Sequence, residues 1–333
     1  MTLPARVVAP LLFLAWLWFS SAGVRAADVS GYSVLLGQFL NQTGPEELVQ
    51  DPDFGFSILA SVDLTDFFLV NGAALVTPDG TVNALGDLGD YWAFLDTRTT
   101  LSSLTSDYGW GDYTLEFSTV NEDDYSCVLP LPDTSLPPAP KLVNFDDVQA
   151  VDPAKPLILH WDFVQAPNAD DFVQAYITQG HGVVFSTPDF GWPGALDGTA
   201  HSASVPSELL APGAVYSLNL EITRLVSTNS TDYPGAEGIA ATFSSTSIDV
   251  VTLMPPRLRL LSAPPGVSVE VQAEPGTTVV LQGSDTLAAW SDLATSAASS
   301  GTNVFTITSE GQVAQFFRAW QPSAAGRRFG DLP

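Results

Sequence analysis

The chain has 333 residues, with 11 Lys and Arg against 37 Asp and Glu, a formal net charge of −26. A field of this sign repels phosphate backbones and anionic lipid, which argues against nucleic acid and direct membrane contact. A single cysteine, Cys127, excludes an intrachain disulfide, so stability has to come from apolar cores.

Residues 1–26 read as a secretory signal peptide: Arg6 precedes the apolar run Leu11 to Phe19, and Val24-Arg25-Ala26 supplies a small-residue exit. That run is shorter than the roughly 20 apolar residues a spanning helix needs. The remainder is expected to be secreted or extracytoplasmic, in the periplasm, at the cell surface or outside the cell. No cysteine stands at the cleavage point, which argues against a lipoprotein anchor. Removing this segment leaves 9 basic side chains against 37 acidic ones. Residues 27–256 carry 31 acids and 4 bases and residues 257–333 carry 6 and 5, so the C-terminal part is electrically distinct.

Alternating apolar residues between Gly, Pro, Asn and Asp clusters predict an all-β protein of three β-rich domains in series. The first, 27–130, opens on Tyr32 to Leu36. Phe54, Phe56, Ile58, Ala60 and Val62 then share one face of a strand with only that face buried, and Tyr113, Leu115 and Phe117 repeat the pattern. Short helical turns are expected at Pro45 to Val49 and Thr100 to Leu104. Cys127 falls at a half-buried strand position, where packing is the expected role. Residues 131–140 form a stiff Pro-rich linker.

The second domain spans 141–253. Leu157, Leu159 and Trp161 alternate on one strand, and Leu210 to Tyr216 leads into Leu218, Leu220 and Ile222 with Ser217, Asn219 and Glu221 opposite. An early-strand Trp and a Tyr after an L-x-P-G turn resemble a fibronectin type III or immunoglobulin-like sandwich, and that resemblance implies a core Trp and a tyrosine corner. The interval from Trp161 to Tyr216 is long for that family, and Thr187 to Gly198 looks inserted. The third unit, 257–321, is small for an independent core, and 322–333 is a polar tail. Its succession of Val280-Leu281-Gln282, Leu287 to Trp290 and Phe316-Phe317-Arg318-Ala319 resembles the C-terminal β module of secreted multi-domain proteins of verrucomicrobial and planctomycete bacteria. No settled activity comes with that resemblance. Trp290 and Phe316 are expected in the core, and Arg318 beside a local acid.

For chemistry, no G-x-S-x-G or S-x-x-K pattern supports a hydrolase nucleophile. His160, His181 and His201 lie about 20 residues apart without a zinc-binding motif, and a hydrogen-bonded structural role is expected for His160. A calcium site needs several carboxylates converging on one loop. Asp51-Pro-Asp53-Phe-Gly55 is the nearest fragment, and it lacks the third carboxylate, so Ca²⁺ stays an alternative and no other cofactor is implied. Aromatic rings in Gly- and Pro-rich loops are candidate sugar platforms: Tyr108 and Trp110 in the first domain, Trp192 and Tyr233 in the second. The competing role for each ring is to cap the open end of a sandwich core. These features point to a non-catalytic binding, adhesion or envelope-associated structural protein with an extracellular polysaccharide or surface protein as partner, monomeric at low salt through self-repulsion. The alternatives are a calcium-stabilised adhesin with protein partners and a secreted polysaccharide hydrolase.

Overall fold

A computed structural model describes residues 27–320 apart from 181, 255, 264–265, 274–276, 299–301 and 308–315. The expected leader and polar tail, and His181, lie outside the described residues. The described residues are all-β and divide into two compact units, the first comprising 27–149, 156–209 and 215–250, the second drawn from 150–155, 210–214 and 251–320.

In the first unit the strands begin with β1 (Val29–Gln42), β2 (Leu48–Gln50), β3 (Phe56–Leu64) and β4 (Val70–Val76). β5 (Val82–Ala84), β6 (Gly86–Asp87), β7 (Tyr91–Arg98), helix α1 (Leu101–Tyr108), β8 (Gly111–Thr119) and β9 (Asp124–Leu131) follow. Then come β10 (Pro140–Leu142), the short helix α2 (Phe145–Val148), β11 (Leu157–Phe163), β12 (Phe172–Gln179) and β13 (Gly182–Ser186). β14 (Leu196–Asp197), β15 (Ser202–Val205), β16 (Val215–Asn229) and β17 (Gly238–Val251) complete it.

A long sheet runs β13-β12-β16-β17-β1-β3-β7-β6, with β14 beside β12 and β2 beside β1. At its centre β1 and β17 pair in parallel, Tyr32 opposite Gly238 through Asn41 opposite Ser247. The structure differs here from the expectation of separate N-terminal and middle domains, because residues 27–130 and 141–253 share this sheet. Alternation within a strand sets which side chains share a face, and it leaves the neighbouring strand open.

One face of the sheet carries two smaller sheets. Under β5-β4-β8-β9, Tyr32, Val34 and Leu36 of β1 and Ile58, Ala60 and Val62 of β3 are buried with Tyr113, Leu115, Phe117, Cys127 and Leu129. The second layer, β10-β11-β15, buries Leu142, Leu159 and Trp161, and the apolar faces of β12 (Val173, Ala175, Ile177) and β16 (Leu218, Leu220, Ile222) are equally buried. Trp161 donates its indole N–H to the Ala200 carbonyl at 2.9 Å, satisfying the one polar atom of a buried ring. Cys127 packs as expected, and burial pushes its thiol up to about 11.

The Pro-rich segment lies along β17 and does not hang free. Ser244 and Thr246 donate their hydroxyls to the carbonyls of Pro137 (2.6 Å) and Pro140 (2.7 Å). Arg224 grips Asp171 through two charge-assisted bonds of 2.8 and 2.7 Å and reaches the Ser135 carbonyl at 3.2 Å. Gln42 closes the join: its amide donates to the Leu142 carbonyl (2.9 Å) and accepts from the Leu142 N–H (2.8 Å). A Pro-rich stretch offers carbonyls without N–H groups, so fixing it falls to side-chain donors of the sheet beneath.

Local signals set the short elements. Thr100 caps α1 by accepting the Ser103 N–H at 3.1 Å, and Gly109 ends it at φ 72°. The helical turn expected at Pro45 to Val49 is replaced by bends and β2, whose Val49 pairs with Asn41.

The second unit holds β18 (Arg257–Ala263), β19 (Gly266–Gln272), β20 (Thr277–Ser284), β21 (Ser291–Ala298), β22 (Thr302–Ile307) and β23 (Phe316–Trp320). They form two three-stranded sheets, β18-β19-β22 and β21-β20-β23, around Val269, Val271, Val279, Leu281 and Phe305. Phe317 and Ala319 turn toward that core, so the period of two turns Phe316 outward, against expectation. Trp290 is half-buried, and Arg318 stacks its guanidinium on that ring at 4.4 Å while donating to the Gln282 side chain at 2.7 Å. The expected acid is one step removed: Asp292 accepts from Gln282. No described helix is long and apolar enough to cross a membrane.

Candidate functional site

The face of the long sheet opposite the two small sheets is mostly polar where β12, β16, β17 and β1 run side by side. Phe39 and Asn41 stand opposite Ser245 and Ser247, and Thr178 opposite Ser217, so alternate residues of four adjacent strands point to one side. There they line a depression of about 250 Å³. Its apolar wall is Phe39 and Phe54, packed edge to face with centroids 5.8 Å apart, and Phe39 rests in turn on Phe243 at 5.1 Å. Its polar wall consists of Thr178, Ser217, Asn219, Ser245 and Ser247, with the Ser217 and Ser247 hydroxyls 3.0 Å apart. Asp51 and Asp249 also line it, and the lining residues include no Lys, Arg or His.

Asp51 positions the aromatic wall. One carboxylate oxygen accepts the N–H groups of Asp53 (2.9 Å) and Phe54 (3.0 Å), and the other accepts the Asn41 amide at 2.8 Å. The Asp-Pro-Asp-Phe-Gly fragment thus forms a side-chain-braced turn in which Gly55 takes φ 39° and presents Phe54 to Phe39. Among the described residues no group of three or more His, Cys, Asp and Glu side chains comes together.

Beside this cavity β16 and β12 bury charge-capable groups on the same face. Glu221 stands opposite Gln174, and burial pushes its carboxyl up to about 7, opposed only by the Thr223 hydroxyl at 3.2 Å. Asp189 accepts from the Gln174 amide at 2.8 Å and is likewise raised by burial.

The four rings singled out by sequence are not brought together. Tyr108 is buried, with its hydroxyl on Asp96 and its ring edge-on to Phe94 at 6.0 Å. Trp110 packs against the same core. Tyr233 is buried deeper: its hydroxyl donates to Glu122 at 2.6 Å and accepts the Val29 N–H at 3.1 Å, and Tyr125 meets its ring at 4.6 Å. These three cap the first core, the competing role stated for them. Trp192 is 55 % exposed on the turn after β13. His160 is exposed on β11, and His201 faces the Trp161 carbonyl at 3.1 Å. Phe39 obeys strand alternation, and nothing local separates an aromatic that lines a cavity from one that fills a core. Phe54, expected on the face of Phe56 and Ile58, instead precedes β3 in the Asp51 turn and packs with Leu35, Leu59 and Phe243 on the opposite face.

No protein-family model and no curated protein matches the chain. Solved structures that resemble it include the ICAM-5 D1–D4 ectodomain fragment, at 15 % identity over 87 % of this chain and 75 % of that one with a TM-score of 0.24. Fibronectin(III)-like modules of Clostridium thermocellum CbhA match at 14 % identity over 66 % and 94 %, TM-score 0.20. A tetra-tandem repeat from the extending region of a large adhesion protein matches at 10 % over 89 % and 72 %, TM-score 0.22. At TM-scores this low the likeness does not extend to function.

Proposed function

We propose that this chain is a non-catalytic binding protein whose cavity on the long sheet takes one neutral sugar residue of an extracellular polysaccharide. The observation that carries the reading is the meeting of an edge-to-face Phe pair with hydroxyl and amide groups from four adjacent strands in one small depression. Aromatic carbon covers the apolar C–H face of a pyranose, while Ser, Thr and Asn both donate to and accept from its hydroxyls. The volume lies below the roughly 300–1,000 Å³ of drug-sized pockets, which favours a single ring over a bulky ligand. Carboxylates at a site without basic residues disfavour anionic sugars. The site sits on regular strands and on the braced Asp51 turn that carries Phe54, so little ordering cost opposes binding. Trp192, exposed on its own turn, is the remaining candidate for a second contact with a longer chain.

Calorimetry against neutral mono- and oligosaccharides tests this. Binding is expected, and the Ser217→Val/Ser247→Val double variant is expected to weaken it by about tenfold, the equivalent of two hydrogen bonds at about 0.5–1.5 kcal/mol each. Absence of binding to every neutral saccharide at millimolar concentration would overturn the reading.

A further inference from the structure

A second surface lies at the tip of the β3–β4 connection and owes nothing to the sugar cavity. Phe67 and Phe68, adjacent in sequence, are 60 % and 72 % exposed, with ring centroids 6.3 Å apart. Leu88, in the β6–β7 turn, is 45 % exposed, and at Gly89 of that turn a Cβ would lie 3.7 Å from the Phe67 ring. The two turns therefore present one contiguous apolar patch.

Neither fraying nor poor anchoring accounts for its exposure. The loop is tied at both ends: Leu64 N–H to the Asp90 carbonyl (3.0 Å), Thr65 N–H to Asp28 (3.0 Å), and Val120 N–H to Leu69 (2.9 Å). Asp66 accepts the Phe67 N–H at 2.8 Å and Asp87 accepts the Gly89 N–H at 2.9 Å. Phe68 holds φ 61°, a left-handed conformation that a bulky residue adopts only when its surroundings impose it, and such strain collects at binding sites. The fold thus spends backbone strain to keep a large ring in water, where it stabilises nothing.

The rim decides what covers the patch. Asp66, Asp87 and Asp90 are exposed around it, and residues 63–90 contain no Lys or Arg. A second copy would bring the same carboxylates face to face, and anionic lipid would be repelled. We infer that Phe67, Phe68 and Leu88 dock a protein segment that alternates apolar side chains with Lys or Arg, the apolar groups seating on the rings while the cations pair with Asp66, Asp87 and Asp90, and with cation–π contact to the Phe faces.

Fluorescence anisotropy of the full chain with a labelled Lys–Leu–Lys–Leu–Lys–Leu–Lys peptide, at about 0.15 M salt to screen diffuse attraction, tests this. Saturable binding is expected, at least tenfold weaker for a peptide with Ser in place of Leu, and at least tenfold weaker for the Phe67→Ser/Phe68→Gly chain. Phe68→Gly relieves the left-handed backbone, so its thermal midpoint is expected to hold or rise, which separates lost docking from lost folding. Equal binding of the Leu and Ser peptides, or of native and variant chains, would overturn the proposal. Native-chain dimerisation, or flotation with phosphatidylcholine vesicles, that disappears in the double variant would overturn it in favour of those occupants.

Discussion

At the scale of single residues, charge placed under the long sheet couples folding to pH. Glu221 ionises near 4.5 when unfolded and near 7 when folded, and burial is the cause. The folded state thus holds the proton that the unfolded chain has released, so stability falls as pH rises from about 4.5 to 7 and then levels off. The loss from this group is about 3 kcal/mol. Asp189 and Asp63 are shifted the same way, by burial first, and the phenol of Tyr176 on the neighbouring strand, raised by burial and by Glu221, stays neutral throughout. Urea denaturation at pH 5 and pH 8 is expected to show the native chain less stable at the higher pH, with Glu221→Gln recovering about 2 kcal/mol there. A Glu221→Gln profile as steep as the native one would mean the carboxyl is not the source.

Among elements, the pairing of β1 with β17 decides the architecture, and two reciprocal contacts pin its register. Gly238 stands opposite Tyr32 and Gly37 opposite Phe243. A Cβ at Gly238 would fall 2.0 Å from the Tyr32 ring, and one at Gly37 would fall 2.4 Å from the Phe243 ring and 2.3 Å from its carbonyl oxygen. Each glycine is the floor on which an aromatic of the other strand lies, and a one-residue slip would put both rings against side chains. Gly238→Ala is expected to lower the urea midpoint by the equivalent of about 1–3 kcal/mol. Gly72→Ala in β4, where a Cβ meets nothing within 4 Å, is the matched control and is expected to leave the midpoint in place. These strands were legible as strands: Tyr32 to Leu36, Ile58 to Val62, Tyr113 to Phe117, Leu157 to Trp161 and Leu218 to Ile222 all fall where alternation places them. Their second faces were not. Ser57, Ser61 and Glu221, polar by pattern, are nevertheless buried, which alternation within one strand does not foretell.

For the whole molecule, the boundary suggested by the Pro-rich segment would cut through shared structure. A chain ending at residue 130 keeps β1 but loses β17, leaving about ten residues of parallel ladder unpaired and Ile239, Ala241 and Phe243 absent from the cluster that holds Leu35 and Leu59. Such a fragment is expected to aggregate or to unfold without a cooperative transition, whereas residues 27–320 give a sharp one in calorimetry. A cooperative, monomeric 27–130 fragment would show that the long sheet is not a folding unit.

By itself the amino-acid order determined the all-β class, the alternating strands, the helical turn at Thr100 to Leu104 and the packing roles of Trp161 and Cys127, because each follows from periodicity or bonding within a few residues. The tertiary structure alone decided that residues near 32 and near 238 share a sheet, that Phe39 and Phe54 face hydroxyls instead of a core, and that Tyr108 and Tyr233 do not reach solvent. A strand's pattern encodes its faces; its neighbours are chosen by shape and burial summed over the whole chain.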